Sequence, residues 1–265
     1  MTVNGTLAIY GDSLSGSPVK VAANRLVVGS TGVLHSDGGG WGWKNYHGAK
    51  LTYALGAPSS LESYNGGAYG GFGGGYNGTP ANVTDYGNKR TYGEALRPYL
   101  PGSPGPNNDY PFGGGALRID VAGQISNAGR ISANGTQAGG SCGGGSGGGI
   151  WISCSKFVNA AGAAVRADGG DNTVNGGGGG GGRILVCEKL DAAKIDALYA
   201  TGVVPAKVTA TEITDANRAE FSVGAISAVG GVNTKHSATY PCWSGTAGSI
   251  WWLRGRGLGT FIMVR

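Results

Sequence analysis

The sequence predicts an all-β fold: a glycine-rich solenoid of stacked coils. Three observations lead to this prediction, namely an internal repeat, an alternation of apolar and polar residues within each repeat, and 56 glycines among 265 residues. A fixed period of roughly 20–50 residues is typical of a solenoid, in which each unit buries its apolar face on its neighbour. We therefore expect parallel strands stacked over much of the chain.

The repeat is clearest between residues 113 and 190. Leu117, Ile150 and Ile184 recur at nearly equal intervals, and a second series places Ile131 and Val165 at the same interval. Matching intervals in two independent series predict that the members of each series occupy equivalent positions in successive coils.

Alternation with period two inside each repeat predicts strands, because successive side chains of a strand point to opposite faces. The predicted inward columns hold Leu117, Ile119, Val121, Ile150, Ile152, Cys154, Ile184 and Val186. The predicted outward residues are Arg118, Asp120, Trp151, Ser153, Arg183 and Leu185. A shorter second strand follows each long one and stops at a turn residue, Asn134 or Asp168, a residue type that tolerates left-handed backbone. Residues 32–38 repeat this pattern, with Leu34 and Ser36 inward.

Glycine makes up about a fifth of the chain, against a usual ~7%. The sequence lacks a Gly-X-Y period, which excludes collagen, and its 40% hydrophobic content argues against disorder. The glycines are therefore expected to belong to ordered, packed segments. We predict that tracts such as Gly176–Gly182 run as extended left-handed segments with three residues per turn, or as loops in which backbones approach closely.

Residues 38–112 form an insert rich in glycine and aromatic residues. Two interpretations remain open: rings stacked on backbone in a structural role, or flat exposed rings that stack on sugars. The candidate ligand-binding residues are Trp41, Trp43, Tyr46, Tyr64, Tyr69, Phe72 and Tyr76.

The pattern changes at residue 190, which we take as a boundary between a solenoid at 1–190 and a C-terminal unit at 191–265. An amphipathic helix is predicted to begin at a cap formed by Asp191 and to stop at Gly202, and we expect it to cover the end of the solenoid. A small β module is predicted to follow, with strands at 207–213, 220–223, 249–253 and 260–264.

Composition and motifs predict no catalytic residue, metal site or cofactor. The net charge of +5 comes from scattered Lys and Arg, which favours a solvated surface over a specific nucleic-acid partner. Four widely spaced cysteines lack zinc-site spacing; Cys154 is predicted to be a core residue, and one disulfide among the others stays open. No hydrophobic run reaches membrane-spanning length.

One motif matches a hydrolase signature. Residues 11–14 read Gly-Asp-Ser-Leu, as in the GDSL hydrolases, whose serine must be followed by a helix and joined by a late Asp-x-x-His. Residues 15–18 read Ser-Gly-Ser-Pro, which breaks a helix, and no Asp lies three residues before His236. A turn between two coils is the favoured interpretation.

The repeat motifs also carry a resemblance. Gly-Gly-Gly-Ala-Leu-Arg-Ile at 113–119, Ile-Ser-Ala-Asn-Gly at 131–135, poly-glycine before Arg183-Ile184, and Tyr-Gly-Glu-Ala-Leu-Arg-Pro at 92–98 resemble the glycine-rich repeats of secreted, adhesin-like bacterial surface proteins. The resemblance covers roughly residues 20–190. It implies a right-handed β-helix-like solenoid on an exported protein, usually without enzymatic activity. The glycine runs alone are similar to those of phage tail-fibre adhesins.

Together these observations predict a non-enzymatic extracellular or cell-surface module with a structural or adhesive role, either fibre-forming or glycan-binding. The alternatives are a phage tail-fibre tip adhesin on a virion surface and a polysaccharide-processing β-helix enzyme, which would use Arg118, Asp120 and Arg183. Because strand-like residues 3–9 show no cap, we also expect self-association or continuation into a longer parent chain.

Overall fold

A computed structural model of the chain describes residues 1–11, 17–42, 55–58, 64–75, 90–106, 111–140, 142–234 and 242–255. Within these residues the chain forms three sheets whose strands stack coil upon coil. This is a parallel β-solenoid-like arrangement, as the repeat predicted.

The first four coils each contribute one strand to each sheet in turn, and later residues add strands to sheets B and C only. Sheet A contains β1 (Thr2–Val3), β4 (Leu26–Val28), β7 (Gln124–Asn127) and β10 (Lys156–Asn159). Sheet B contains β2 (Thr6–Ala8), β5 (Val33–His35), β8 (Arg130–Ser132), β11 (Ala164–Arg166) and β14 (Ala225–Ser227). Sheet C contains β3 (Val19–Ala23), β6 (Ala116–Val121), β9 (Gly149–Cys154), β12 (Arg183–Glu188), β15 (Ser249–Gly255) and β13 (Val208–Glu212).

The strand register confirms the repeat found in the sequence. Leu117 pairs with Ile150 and Ile150 pairs with Ile184, while Ile131 pairs with Val165, all between parallel strands. The interval between equivalent residues in the sequence therefore corresponds to one full coil.

The solenoid core is built from the predicted inward columns. All eight predicted inward residues are buried in one apolar cluster, Cys154 among them. Burial of each such aliphatic side chain contributes roughly 1.5–3 kcal/mol. The cluster also takes in Trp252 from β15, so the last coil shares the same core.

A ladder of buried asparagines adds a polar element at the corner after sheet A. Asn127 Nδ2 donates to Asn159 Oδ1 at 2.7 Å, and Asn159 Nδ2 donates to Ser222 Oγ at 3.0 Å. Because buried amides are costly when unpaired, this ladder fixes the stacking of neighbouring corners.

The outer face of sheet C differs from expectation. Trp151 and Leu185 point away from the solenoid core as predicted, yet both are buried, Trp151 with only 1% exposure. They pack against Leu198 of helix α1 (Ala192–Thr201) in a second apolar cluster. The helix has its predicted caps, but it covers a side of the solenoid and not its end, because its apolar face matches the apolar outer face of sheet C.

Residues after 190 add strands to the same sheets. β14 pairs in parallel with β11, and β15 pairs in parallel with β12. The strand predicted at 220–223 is wrong: Arg218–Phe221 form a short helix, α2, whose Phe221 ring packs 5.6 Å from that of Trp252. The strand predicted at 260–264 lies outside the described residues.

The two ends of the stack differ. Among the described residues, β1, β2 and β3 are the first strands of their sheets, each with one strand neighbour. At the opposite end of sheet C, β13 pairs antiparallel with β15, which interrupts the parallel stacking.

Candidate functional site

The most distinctive feature of the molecule is a bundle of glycine-rich segments beside the solenoid. In four coils the chain leaves the solenoid after the sheet B strand and returns to begin a sheet C strand. We call the described residues of these four excursions, which span 36–115, 133–148, 167–182 and 228–248, together the glycine bundle.

Outgoing and returning runs of one excursion are joined along their length. In the third excursion the amide of Gly179 donates to the Gly170 carbonyl at 2.9 Å, and the amide of Gly182 donates to the Ala167 carbonyl at 2.7 Å. The two bonds are three residues apart on both runs. The second and fourth excursions repeat this spacing, so each of these three excursions is a hairpin of extended segments.

The segment Gly176–Gly182 lies at the centre of the bundle. Its amides donate to carbonyl oxygens in three neighbouring segments: Gly177 to Tyr64, Gly180 to Gly67, Gly178 to Trp243, Gly181 to Thr246, Gly179 to Gly170 and Gly182 to Ala167. Its carbonyls accept from amides in three further segments: those of Gly177 and Gly180 from Gly144 and Gly147, those of Gly178 and Gly181 from Gly74, Gly70 and Gly71, and that of Gly179 from Gly231. The Gly182 carbonyl accepts from the Ser249 amide, at the end of the segment that contains Trp243 and Thr246. The same neighbour returns every third residue throughout the first set, and in the second set for the segments of Gly144–Gly147 and Gly70–Gly74.

Of the two conformations predicted for the glycine tract, this pattern supports the extended one with three residues per turn. Such a helix makes no internal hydrogen bonds and turns its amides and carbonyls outward in three directions each. None of the seven glycines has a positive φ angle, as the left-handed form requires. One segment thus bonds to neighbours on six sides.

Glycine is obligatory in this segment because the neighbouring backbones leave no room for a side chain. A Cβ atom added to any residue of Gly176–Gly182 would lie under 3.0 Å from a backbone atom of another segment. These residues are packing elements, in the same way that leucine is in an ordinary core.

Two buried asparagines connect the outer ends of the excursions. The Nδ2 of Asn172 donates to the Cys142 carbonyl, and the Nδ2 of Asn233 donates to the Gly176 carbonyl at 2.5 Å. Ala138, Asn172 and Asn233 form successive parallel bridges. The second, third and fourth excursions are therefore in register at these residues.

The structure places two of the predicted ligand-binding rings inside the molecule. Trp41 and Tyr69 are buried and pack on Tyr92, with ring centroids 5.4 and 4.8 Å away. Burial raises the pKa of the Tyr69 and Tyr92 hydroxyls. The expectation of exposed rings is wrong for Trp41 and Tyr69, because the rings fill space beside segments that have no side chains of their own.

The remaining predicted rings divide into two groups. Tyr64 and Phe72 are partly exposed, and their backbones belong to the bundle: the Gly177 amide donates to the Tyr64 carbonyl at 2.7 Å, and the Thr246 amide donates to the Phe72 carbonyl at 2.9 Å. Trp43, Tyr46 and Tyr76 lie outside the described residues.

The charged residues considered for catalysis are held in structural contacts. Arg118 Nε donates to Asp120 Oδ2 at 2.9 Å, and the Arg118 guanidinium lies 4.4 Å from the ring centroid of Tyr199 on α1. Arg183 Nη2 donates to the Tyr92 carbonyl at 3.1 Å, and its Nη1 donates to Ser249 Oγ at the same distance. These cations join the sheet to the helix and to the insert.

Thiol and metal chemistry find no support in the described part of the chain. All four cysteines are buried and none forms a disulfide. Burial raises the pKa of Cys154 to about 12, so its reactive thiolate is not populated near neutral pH. Across the described ranges there is no group of three or more His, Cys, Asp or Glu suited to a metal ion, and no helix long and apolar enough to cross a membrane.

Sequence reasoning missed the asparagines at the outer ends of the excursions. The available signal was the recurrence of Asn172 and Asn233 at the same distance after Ala167 and Ala228, the residues that follow equivalent strands of sheet B.

Comparison of the chain with models of known protein families, with curated proteins and with solved structures finds no match.

Proposed function

We propose that the chain is a non-enzymatic extracellular or cell-surface module with an adhesive role, in which the solenoid anchors the glycine bundle and the bundle presents its outer end to a target surface. The single observation that carries the proposal is the central segment Gly176–Gly182, which bonds to segments from all four excursions. We also propose that the coils of the solenoid wind in a right-handed sense.

The physical argument concerns cooperativity. An extended glycine segment has no internal hydrogen bonds and the highest conformational entropy of any residue type. It is ordered only when its neighbours are ordered, and each bond between segments contributes about 0.5–1.5 kcal/mol net. A bundle made this way holds its outer end in a fixed geometry far from the solenoid core, which suits presentation to a surface.

The enzymatic alternative is less well supported. Arg118, Asp120 and Arg183 already serve as links between the sheet, helix α1 and the insert. The tail-fibre tip adhesin is a more specific form of our proposal, supported by the similarity of the glycine runs.

Retention of the full chain on intact bacterial cells and on purified surface polysaccharides tests the proposal. We expect retention by the wild-type chain, its loss in Gly179→Ala, which disturbs the bundle, and its survival in Gly5→Ala, which lies outside the bundle and where an added Cβ meets no atom of the described residues within 4 Å. The same incubations are assayed for new reducing or unsaturated sugar ends. Failure to adhere to any surface, or turnover that is lost in Asp120→Asn, contradicts the proposal.

A further inference from the structure

A cleft of about 820 Å³ lies between the outer face of sheet C and the first half of helix α1. The helix packs on Trp151 and Leu185, which belong to β9 and β12. Outward residues of the next two strands, β6 and β3, line the cleft beside it. The cleft thus follows the margin of the helix along the sheet.

The floor of the cleft is a row of three residues on neighbouring strands. Ala22 pairs with Asp120, and Asp120 pairs with Ser153. The two outer members of the row are small, so the carboxylate of Asp120 is the largest group on the floor.

The Asp120 carboxylate is satisfied on one side only. Its Oδ2 atom accepts from Arg118 Nε and pairs with Lys20 Nζ, both at 2.9 Å. Its Oδ1 atom is buried and receives no hydrogen bond from any of the described residues. A carboxylate accepts hydrogen bonds on both oxygens, and leaving a buried acceptor unpaired is costly. Such an atom calls for a donor from outside this part of the chain.

Lys20 provides the complementary chemistry beside it. The side chain of Lys20 is 55% exposed, and an ammonium group has three donors, of which Asp120 occupies one. The torsion that orients an aspartate carboxylate is broad, and a ligand donor reaches Oδ1 only when the carboxylate turns, which also shifts Oδ2 relative to Arg118 and Lys20. Lys20 and Asp120 together then offer donors and an acceptor to one ligand group.

The rest of the lining is mixed. Apolar surface comes from Ala122, Leu190 and Ile195, and further polar groups come from Asn24 and Ser155. The charged residues of the lining are the cations Lys20, Arg118 and Lys189 and the acids Asp120, Asp191 and Asp196. Equal numbers of both signs favour a neutral ligand over a polyanion or a polycation.

We propose that this cleft binds a short neutral saccharide, one hydroxyl of which donates to Asp120 Oδ1 while accepting from Lys20 Nζ. A hydroxyl is both donor and acceptor, which is what this pair requires. The apolar lining contacts the C–H faces of the sugar ring. The site is separate from the glycine bundle and does not depend on its adhesive role.

The test uses the full chain and a panel of short oligosaccharides of glucose, galactose, mannose and N-acetylglucosamine, followed by amide chemical shifts and calorimetry. We expect at least one sugar to shift the amides of residues 20–24, 120–122 and 153–155 saturably. Asp120→Asn should weaken binding by about tenfold or more. Ala22→Trp, which places a large ring beside Asp120 on the floor of the cleft, should abolish binding, and a melting temperature near that of wild type shows that the variant is folded. Asp215→Asn, at a carboxylate 95% exposed and outside the cleft, should bind as wild type.

Two outcomes overturn the inference. One is that no sugar of the panel shifts these amides, which leaves a buried water as the donor to Oδ1. The other is that the folded Ala22→Trp variant binds sugar as tightly as wild type. Cell retention that survives Ala22→Trp while sugar binding is lost separates this site from the bundle, so the two proposals fail independently.

Discussion

Substitution of Gly179 by alanine is the sharpest probe of the glycine bundle. The Gly179 amide donates to the Gly170 carbonyl at 2.9 Å, and its carbonyl accepts from the Gly231 amide at 2.7 Å. A Cβ atom on residue 179 would fall under 3.0 Å from the backbone of Gly145. The added methyl group can be accommodated only if one of these three segments moves away.

The expected cost follows from these contacts. Forcing a methyl group into a packed interior costs about 1–3 kcal/mol, and two hydrogen bonds between segments contribute about 0.5–1.5 kcal/mol each. If both bonds break, the free energy of unfolding falls by roughly 2–6 kcal/mol. For a chain of this size that lowers the melting temperature by roughly 4–24 °C.

Calorimetry of wild type, Gly179→Ala and Gly139→Ala measures this effect. Gly139 belongs to the neighbouring excursion, has no positive φ, and offers a Cβ space free of the described residues. Its substitution should leave stability unchanged or raise it slightly, because alanine has less freedom in the unfolded chain. A folded Gly179→Ala protein that melts at the wild-type temperature refutes the packing argument.

Two further predictions concern buried polar groups. Asn159→Ala removes the acceptor of Asn127 Nδ2 and the donor to Ser222 Oγ, so the free energy of unfolding measured in urea should fall by about 1–3 kcal/mol. Asn24 is exposed, and a similar fall for Asn24→Ala would contradict a specific role of the asparagine ladder. Burial raises the pKa of the Asp168 carboxyl group, so the folded state binds the carboxyl proton more tightly than the unfolded state does. The contribution of this group to the free energy of unfolding is therefore present at low pH and is lost as the pH rises through the raised pKa. Asp168→Asn should flatten that part of the melting-temperature profile, and an unchanged slope would contradict the assignment.

The parts of the fold that depend on near neighbours in sequence were predictable. Alternation of apolar residues specifies which side of a strand faces the core, and Leu117 and Ile119 are buried accordingly. The period of the repeat predicted the register, because each coil must present equivalent residues to the next. The caps of α1 at Asp191 and Gly202 were visible because capping is a local hydrogen-bond requirement.

The placement of side chains against distant segments was not predictable. Trp151 occupies an outward position on its strand, and only the return of α1 over sheet C buries it. Trp41 and Tyr69 belong to a stretch whose composition also fits exposed, sugar-stacking rings. They nevertheless lie inside the molecule, because the glycine segments beside them have no side chains to fill that space. Local sequence does not encode which segment comes to cover a residue.

The glycine bundle shows most clearly which features local sequence determines and which depend on the tertiary fold. The amino-acid sequence alone specifies that Gly176–Gly182 has no side chains, and it predicts either an extended segment with three residues per turn or a loop with closely approaching backbones. Which backbones surround that segment is set by the fold, since its partners include Gly67, Gly170 and Thr246, on three separate stretches of the chain. The physical reason is that a glycine segment has no side chain with which to specify a partner. The solenoid strands determine which segments surround it, because they fix where each excursion leaves the solenoid and where it returns.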